Sequence, residues 1–198
     1  MELISIFPTT IGYYNNQQFS NAVLPIAEEI LKGREKNYLN HTNTYRDSEV
    51  SDYLNKHKFI TDFIYSISHE YTKQTGWILP KETSIGCFVS NMEKGDNMIS
   101  HLHPRSILSG ICYLKVNQDS SPIFFQDSRD QRLFTGMVSE GEMDENKYTP
   151  YNTTEYGIRP KNGDILVWES WIRHSVKTNK SDYRTTLVWN LSTKQEWN

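Results

Sequence analysis

Cysteine is almost absent from this chain. The 198 residues include two cysteines, Cys87 and Cys112, and no C-x-x-C or zinc-ribbon spacing. This scarcity excludes a disulfide framework and a cysteine-based zinc site. Each cysteine lies in an apolar, strand-like run, so we expect buried, reduced thiols.

An excess of charge of one sign is also lacking. The net charge of −3 gives no basis for attraction to nucleic acid or to a membrane surface. Uninterrupted apolar stretches long enough to span a bilayer are missing too. The opening MELISIFPTTIGYY has neither the basic segment nor the small-residue cleavage site of a secretory signal. We therefore expect a cytoplasmic protein that binds neither nucleic acid nor membrane.

Apolar residues are few, at 36%, but aromatic residues reach 13% of the chain. Tyr and Trp bury a large area per residue while they keep a polar group. A chain of this length can build one hydrophobic core. We predict a single domain over residues 1–198.

The first part of the chain, residues 1–80, has mostly helical periodicity. Apolar residues recur at helical spacing over 19–30 and 59–71, which predicts two amphipathic helices. A short apolar run at 3–7 is closed by a proline and predicts a strand. The polar segment 37–51 predicts a surface loop.

The rest of the chain, residues 81–198, has the pattern of a β-structure. Short β-branched and aromatic runs are separated by Gly, Pro, Asn and Asp; they lie at 85–89, 107–116, 123–125, 165–168 and 185–191. Residues 128–155 are polar and acidic and predict a long loop over a barrel mouth. Helices followed by many short strands predict an α+β, mainly β domain, a barrel or jelly roll backed by helices.

Three histidines of the β-rich part are candidate metal ligands. His101 and His103 form an H-x-H pair, and in an extended segment residues i and i+2 point to the same face. His174 lies far along the chain, after a predicted strand. Three protein ligands on one face of a metal leave positions open for a cosubstrate and O2. An H-x-H pair alone is more typical of a protein surface, so the pair needs further support.

Arg184, which lies ten residues after His174, supports the interpretation of the histidines as metal ligands. The planar guanidinium can hold a carboxylate with two hydrogen bonds, and the Thr186 hydroxyl shares its face of the strand. A metal site and a carboxylate clamp on neighbouring strands suit a dicarboxylate that binds the metal at its other end.

Three segments carry a resemblance to a known family: HLHPRSILSGICYL, NGDILVWESWIRHSV and RTTLVWN. Together and in this order they resemble the 2-oxoglutarate/Fe(II)-dependent oxygenases of the double-stranded β-helix superfamily. The resemblance is good over residues 85–191 and loose over the helical part. It implies a double-stranded β-helix fold, with Fe(II), 2-oxoglutarate and O2 as cofactor and cosubstrates.

The resemblance also implies residue roles. Iron is expected on His101, His103 and His174. Arg184 is expected to bind the C5 carboxylate of 2-oxoglutarate. The remaining residues expected at the cosubstrate pocket are Thr186, Tyr113, Asn91 and Ser109.

His103 departs from the family pattern, because most members have Asp or Glu at this position. His103 is either a third ligand or a neighbour of a water ligand; Asp127 and Glu169 are the carboxylates that could substitute. The expected activity is hydroxylation of an unknown small molecule or peptide, by a possible homodimer in keeping with the superfamily. Two alternatives stay open: a three-histidine dioxygenase that oxidises thiols without a keto acid, and a non-catalytic cupin-like binding module.

Overall fold

The structure, a computed structural model, describes residues 1–193 except 3, 5, 38–40, 130–138, 140, 142–143 and 150. The helices are α1 (Gln17–Leu31), α2 (Ser48–Lys56) and α3 (Lys58–Thr75), with a 3-10 turn at Glu145–Lys147. The strands are β1 (Ile11–Asn15), β2 (Thr42–Asn43), β3 (Thr83–Asn91), β4 (Met98–His101), β5 (Ser106–Lys115), β6 (Ile123–Gln126), β7 (Glu155–Ile158), β8 (Asp164–Glu169), β9 (His174–Val176) and β10 (Thr185–Thr193).

The strands form two antiparallel sheets. The large sheet has the order β1-β8-β5-β10-β3-β2, and the small sheet has the order β4-β9-β6-β7. Apart from the pairs β2–β3 and β6–β7, neighbouring strands are not consecutive in the chain, so the chain passes repeatedly between the two sheets. This is the predicted jelly-roll, the double-stranded β-helix.

Each face of the large sheet contributes to a different core. One face packs on the helices, where Val23 and Ile64 contact strand residues such as Leu187. The other face packs on the small sheet inside the barrel, where Tyr113 and Trp168 are examples. Because side chains alternate along a strand, neighbouring residues of β5, β8 and β10 belong to different cores. The barrel core is the one that contains the candidate site.

Gly110 lies in the middle of β5. It is the direct neighbour of Trp189 on β10, and the indole of Trp189 is fully buried. A Cβ atom at position 110 would lie 2.2 Å from the indole ring. Only glycine leaves room for the ring at this point of the sheet.

The N-terminal part differs from its prediction in two places. Residues 3 and 5 of the predicted first strand lie outside the described residues; Ile6 and Phe7 are exposed and form no strand, and the first strand is β1. The predicted surface loop 37–51 is largely structured instead. It contains β2, the start of α2 and four buried residues at 41–44, because backbone pairing to β3 draws the segment into the sheet.

The predicted helical support does contain α1 to α3, but β1 and β2 of the same region join the large sheet. About half of the predicted loop 128–155 lies outside the described residues. Among the helices that the structure describes, none combines the length and the apolarity needed to cross a membrane. The single-domain boundary stays a prediction.

Candidate active site

Three imidazoles meet at one end of the barrel. His101 is the last residue of β4, His174 is the first residue of β9, and the two are direct neighbours in the small sheet. Their ring centroids are 4.3 Å apart, and the ring of His103 lies 5.2 Å from His101 and 5.0 Å from His174. One possible ligand nitrogen from each ring lies within 4.8 Å of the others. The structure therefore brings the three predicted metal ligands together.

His103 reaches this cluster from a turn, because β4 ends at His101. The backbone N–H of His103 donates to the carbonyl of Ser170 at 3.0 Å, and the His103 carbonyl accepts from Ser106 N–H at 3.3 Å. The sequence prediction placed both histidines on one face of an extended strand. Only His101 lies on such a strand, so this reasoning does not account for the position of His103. Hydrogen bonds to the loop after β8 position His103.

The backbone fixes the tautomers of two of the rings. Nδ1 of His101 lies 2.8 Å from the carbonyl of Ile99, and Nδ1 of His174 lies 3.0 Å from the carbonyl of Ile172. A carbonyl oxygen only accepts, so each Nδ1 carries the proton and donates it. The Nε2 lone pair of both rings is left for a metal.

Burial keeps all three imidazoles neutral in the absence of a metal. Burial lowers the pKa of His101. For His103 burial and the neighbouring His101 lower the pKa to about 4, and for His174 burial and the neighbouring imidazoles lower it to about 3. Neutral imidazole is the form that binds transition metals such as iron.

Neither of the candidate substitute carboxylates belongs to the cluster. Asp127 forms a two-point contact with the guanidinium of Arg129, at 2.8 Å from both Nε and Nη2. Glu169 accepts from the indole of Trp171 at 2.8 Å. Within the described residues, the group that can hold a metal consists of the three histidines.

Aromatic rings cover one side of the cluster. The ring centroids of Trp168 and Phe125 lie 5.0 and 6.1 Å from that of His174. Trp168 is 1% exposed, and its Nε1 has no hydrogen-bond partner among the residues that the structure describes. This wall excludes water from the back of the imidazoles.

Arg184 is buried inside the barrel without a carboxylate. Its side chain is 2% exposed; Nε donates to the carbonyl of Ser121 at 3.1 Å, and Nη2 donates to the hydroxyl of Tyr113 at 3.3 Å. In the described part of the chain no acidic side chain forms an ion pair with it. Burial lowers the pKa of Arg184, and a buried cation without an anion is costly. The position is therefore suited to an anionic ligand.

Tyr113 and Thr186 accompany Arg184. They are direct neighbours across β5 and β10, and both are almost completely buried. The centroid of the Tyr113 ring lies 5.0 Å from the guanidinium carbon of Arg184. Burial raises the pKa of Tyr113 to about 12, so its hydroxyl keeps its proton and can donate to a ligand.

Asn91 lies elsewhere than the sequence suggested, whereas Ser109 is inside the barrel. Asn91 accepts from the Thr185 hydroxyl at 2.9 Å, and alternation along β3 puts it on the face of Cys87 and Val89, which pack on the helices. This position is away from the barrel interior. The hydroxyl of Ser109 lies 2.6 Å from Nδ1 of His103.

Ser170 and Asn190 belong to the site although the sequence gave them no role. The hydroxyl of Ser109 lies 2.7 Å from that of Ser170 and 2.8 Å from the amide oxygen of Asn190. Both residues stand within the segments that carry the family resemblance. The pairing register, which brings Asn190 opposite Ser109, was needed to reveal their contact.

Solved structures share this fold. A prolyl-4-hydroxylase from Pseudomonas putida matches with a TM-score of 0.57 at 11% identity, over 94% of each chain. HygX from Streptomyces hygroscopicus, solved with nickel and 2-oxoglutarate bound, matches with a TM-score of 0.57 at 9% identity, over 96% of this chain and 86% of that chain. At such identities the likeness shows the fold.

An oxidoreductase of the 2OG-Fe(II) oxygenase family from Burkholderia pseudomallei matches at 20% identity with a TM-score of 0.42; the match covers 56% of this chain and 45% of that one. No curated protein sequence matches. The family model described as "Putative 2OG-Fe(II) oxygenase" matches residues 86–190, more than half of the chain. The chain therefore belongs to the 2OG-Fe(II) oxygenase family, whose members are oxidoreductases that depend on iron and 2-oxoglutarate.

Proposed function

We propose that the protein is an Fe(II)- and 2-oxoglutarate-dependent dioxygenase that hydroxylates a small molecule or a peptide. The observation that carries this proposal is the buried guanidinium of Arg184, which has no carboxylate partner in the described residues and lies in the same barrel core as the three imidazoles. A group of three histidines that can hold a metal and a buried guanidinium without a carboxylate, both in one barrel core, suit a dicarboxylate cosubstrate.

His101, His103 and His174 would hold the iron, each through one ring nitrogen. Three neutral ligands leave the 2+ charge of the metal uncompensated by the protein, so an anionic cosubstrate is attracted to the remaining positions. When bound, iron and 2-oxoglutarate supply the oxidation: O2 is consumed, the keto acid becomes succinate and CO2, and one oxygen atom enters the substrate. The protein orients the reactants and excludes water.

Arg184 binds the far carboxylate of 2-oxoglutarate, and the hydroxyls of Tyr113 and Thr186 add donors beside it. Ser109, which contacts His103, precedes Tyr113 by four residues on the same face of β5, a separation of about 13 Å along the strand. The carboxylate site and the metal site are thus at separate points of one strand face, as a cosubstrate with two functional ends requires. HygX, which shares the fold, binds 2-oxoglutarate and supports this assignment.

The substrate enters beside Asn190 in this proposal. A cavity of about 240 Å³ is lined by Tyr45, Arg46, Phe88 and Asn190, among others, and Asn190 is connected to His103 through Ser109. Tyr45 and Arg46 lie in segment 37–51, which the sequence predicted to be a surface loop. The homodimer stays a prediction, which light scattering of the purified protein would test.

An anaerobic titration with Fe(II) and 2-oxoglutarate tests the function. We expect a metal-to-ligand charge-transfer band in the wild type. In Arg184→Ala the band should be lost at the same 2-oxoglutarate concentration, while Fe(II) still binds. Arg159→Ala is the control, because Arg159 is exposed and contacts the carbonyl of Gln118.

The three-imidazole cluster also fits a dioxygenase that oxidises thiols without a keto acid. In that case Arg184 would bind a substrate carboxylate, and neither the band nor succinate would appear. Absence of the band together with absence of succinate in air would therefore reject the keto-acid proposal. Absence of stoichiometric iron in the wild type would favour the cupin-like binding module.

A further inference from the structure

His103 is the unusual ligand, and its tautomer decides whether it can bind a metal. A neutral imidazole has one proton, on Nδ1 or on Nε2, and only the unprotonated nitrogen can coordinate. For His101 and His174 a backbone carbonyl at Nδ1 makes the choice. His103 has a serine hydroxyl at Nδ1, which can either donate or accept.

The surroundings of Ser109 remove this ambiguity. Its hydroxyl has three polar neighbours: Nδ1 of His103 at 2.6 Å, the hydroxyl of Ser170 at 2.7 Å and the amide oxygen of Asn190 at 2.8 Å. Ser109 and Ser170 are both 0% exposed, so water does not compete for these contacts. The hydroxyl has one hydrogen to donate.

The amide oxygen of Asn190 can only accept. Ser109 therefore donates its hydrogen to Asn190, and its lone pairs accept from the two remaining neighbours, His103 and Ser170. In this arrangement the proton of His103 is on Nδ1. If Ser109 donated to Nδ1 instead, the proton of His103 would be on Nε2, the nitrogen that faces the metal in the other two rings.

We propose that Asn190 and Ser109 are positioning residues that fix the Nδ1–H tautomer of His103 and so leave its Nε2 lone pair for the metal. This inference rests on the proposed function, since it takes the imidazole cluster as a metal site. Asn190 forms a side-chain hydrogen bond with His103, and its amide oxygen also determines the direction of the Ser109 hydroxyl, which determines the tautomer. The geometry is set by the sheet, because Asn190 and Ser109 are direct neighbours across β10 and β5.

Two substitutions of similar size at position 190 separate this role from a packing role. In Asn190→Asp the carboxylate can still only accept, so we expect His103 to keep the Nδ1–H tautomer. In Asn190→Leu the acceptor is lost and the Ser109 hydroxyl is free to donate to Nδ1, so the population should shift toward the Nε2–H tautomer. Long-range ¹H–¹⁵N NMR of the metal-free protein at neutral pH measures this directly, with His103→Gln to assign the signals.

Metal affinity is the second measurement. By Co(II) titration we expect Asn190→Asp to stay within a few-fold of the wild type, and Asn190→Leu and Ser109→Ala to bind about 10–100-fold more weakly, the range for partners of a ligand histidine. Ser192→Ala is the matched control, because it removes a serine–serine hydrogen bond of 3.1 Å to Ser106 between the same two strands and should leave affinity unchanged. If Ser109→Ala does not fold, the two variants of Asn190 decide the question.

The inference is overturned if wild-type His103 has its proton on Nε2, or if Asn190→Leu keeps both the tautomer and the affinity of the wild type. The NMR result does not depend on metal binding. A wild type that binds no Co(II) but shows the Nδ1–H tautomer and its loss in Asn190→Leu would support the inference and reject the proposed metal site.

Discussion

His101 and His174 are direct neighbours across the antiparallel strands β4 and β9, and their ring centroids are 4.3 Å apart. Two of the three candidate ligands are therefore held by backbone hydrogen bonds of a sheet, which limits their movement. The third, His103, is attached to the barrel by its turn and by the Ser109 hydroxyl. The sheet and these contacts thus hold the three imidazoles close together without a metal.

Replacement of His174 by alanine should abolish metal binding. Loss of a ligand should weaken Fe(II) or Co(II) binding by more than about 100-fold, since loss of a mere partner of a ligand costs 10–100-fold. Metal content after dialysis, measured by mass spectrometry, checks this. His69→Ala is the control because His69 is exposed on α3; equal metal content in the two variants would contradict the assignment.

Tyr113→Phe should weaken 2-oxoglutarate binding and leave iron binding intact. The substitution removes the hydroxyl that accepts from Arg184 at 3.3 Å and that we expect to donate to the cosubstrate. A hydrogen bond to a charged group contributes about 1.5–3 kcal/mol, so the KM for 2-oxoglutarate should rise at least about tenfold.

Succinate formation at varied 2-oxoglutarate concentration measures this effect. Tyr53→Phe, at an exposed position of α2, is the control for removal of a phenol oxygen. An unchanged KM in Tyr113→Phe would show that the phenol does not touch the cosubstrate.

Gly110→Ala should destabilise the fold. The new methyl group would lie 2.2 Å from the indole of Trp189, which is fully buried. Overpacking of this kind costs about 1–3 kcal/mol, which urea denaturation would register as a lower midpoint at unchanged slope.

Gly86→Ala is the matched control for that experiment. Gly86 lies on β3, on the other side of β10, and a Cβ atom there meets nothing within 4 Å. The free energy of unfolding of Gly86→Ala should stay within about 0.5 kcal/mol of the wild-type value. If Gly110→Ala and Gly86→Ala lost the same free energy of unfolding, strand propensity and not the Trp189 contact would be the cause at position 110.

Cys87 and Cys112 should be inert in the folded protein. Both are buried, and burial raises the pKa of each thiol to about 12, so at pH 8 almost no thiolate is present to react. A disulfide reagent should label neither cysteine in the native protein and both in guanidinium chloride. Labelling of a native thiol within minutes would contradict the burial of these strands.

The same two cysteines should not form a disulfide with each other. Cys87 pairs with Trp189 and Cys112 with Leu187, so β10 runs between them. Two strand spacings amount to about 10 Å, beyond the range of about 7 Å between Cα atoms that a disulfide can bridge. Identical mobility on reducing and non-reducing gels checks this.

Local patterns in the sequence predicted much of the fold. Helical periodicity predicted α1 and α3, and α3 ends at Gly76, whose φ of 79° is the left-handed cap expected of glycine. The β-rich runs predicted β3, β5, β6, β8 and β10, but not the short strands β4, β7 and β9. The joining of β1 and β2 to the large sheet was not predicted, because pairing with β8 and β3 connects residues far apart in the chain.

The sequence by itself determined the family, the helical and β-rich parts and the identity of the three histidines and Arg184, since these depend on residue types in a fixed order. Only the tertiary structure decided which groups touch. In the structure Asn91 lies on the face that packs on the helices, and Arg184 has no carboxylate partner among the described residues. Asn190 is connected to His103 by hydrogen bonds through Ser109. The physical reason is strand register: a shift of one residue moves a side chain to the opposite face of a sheet, and register is set by the pairing of distant segments.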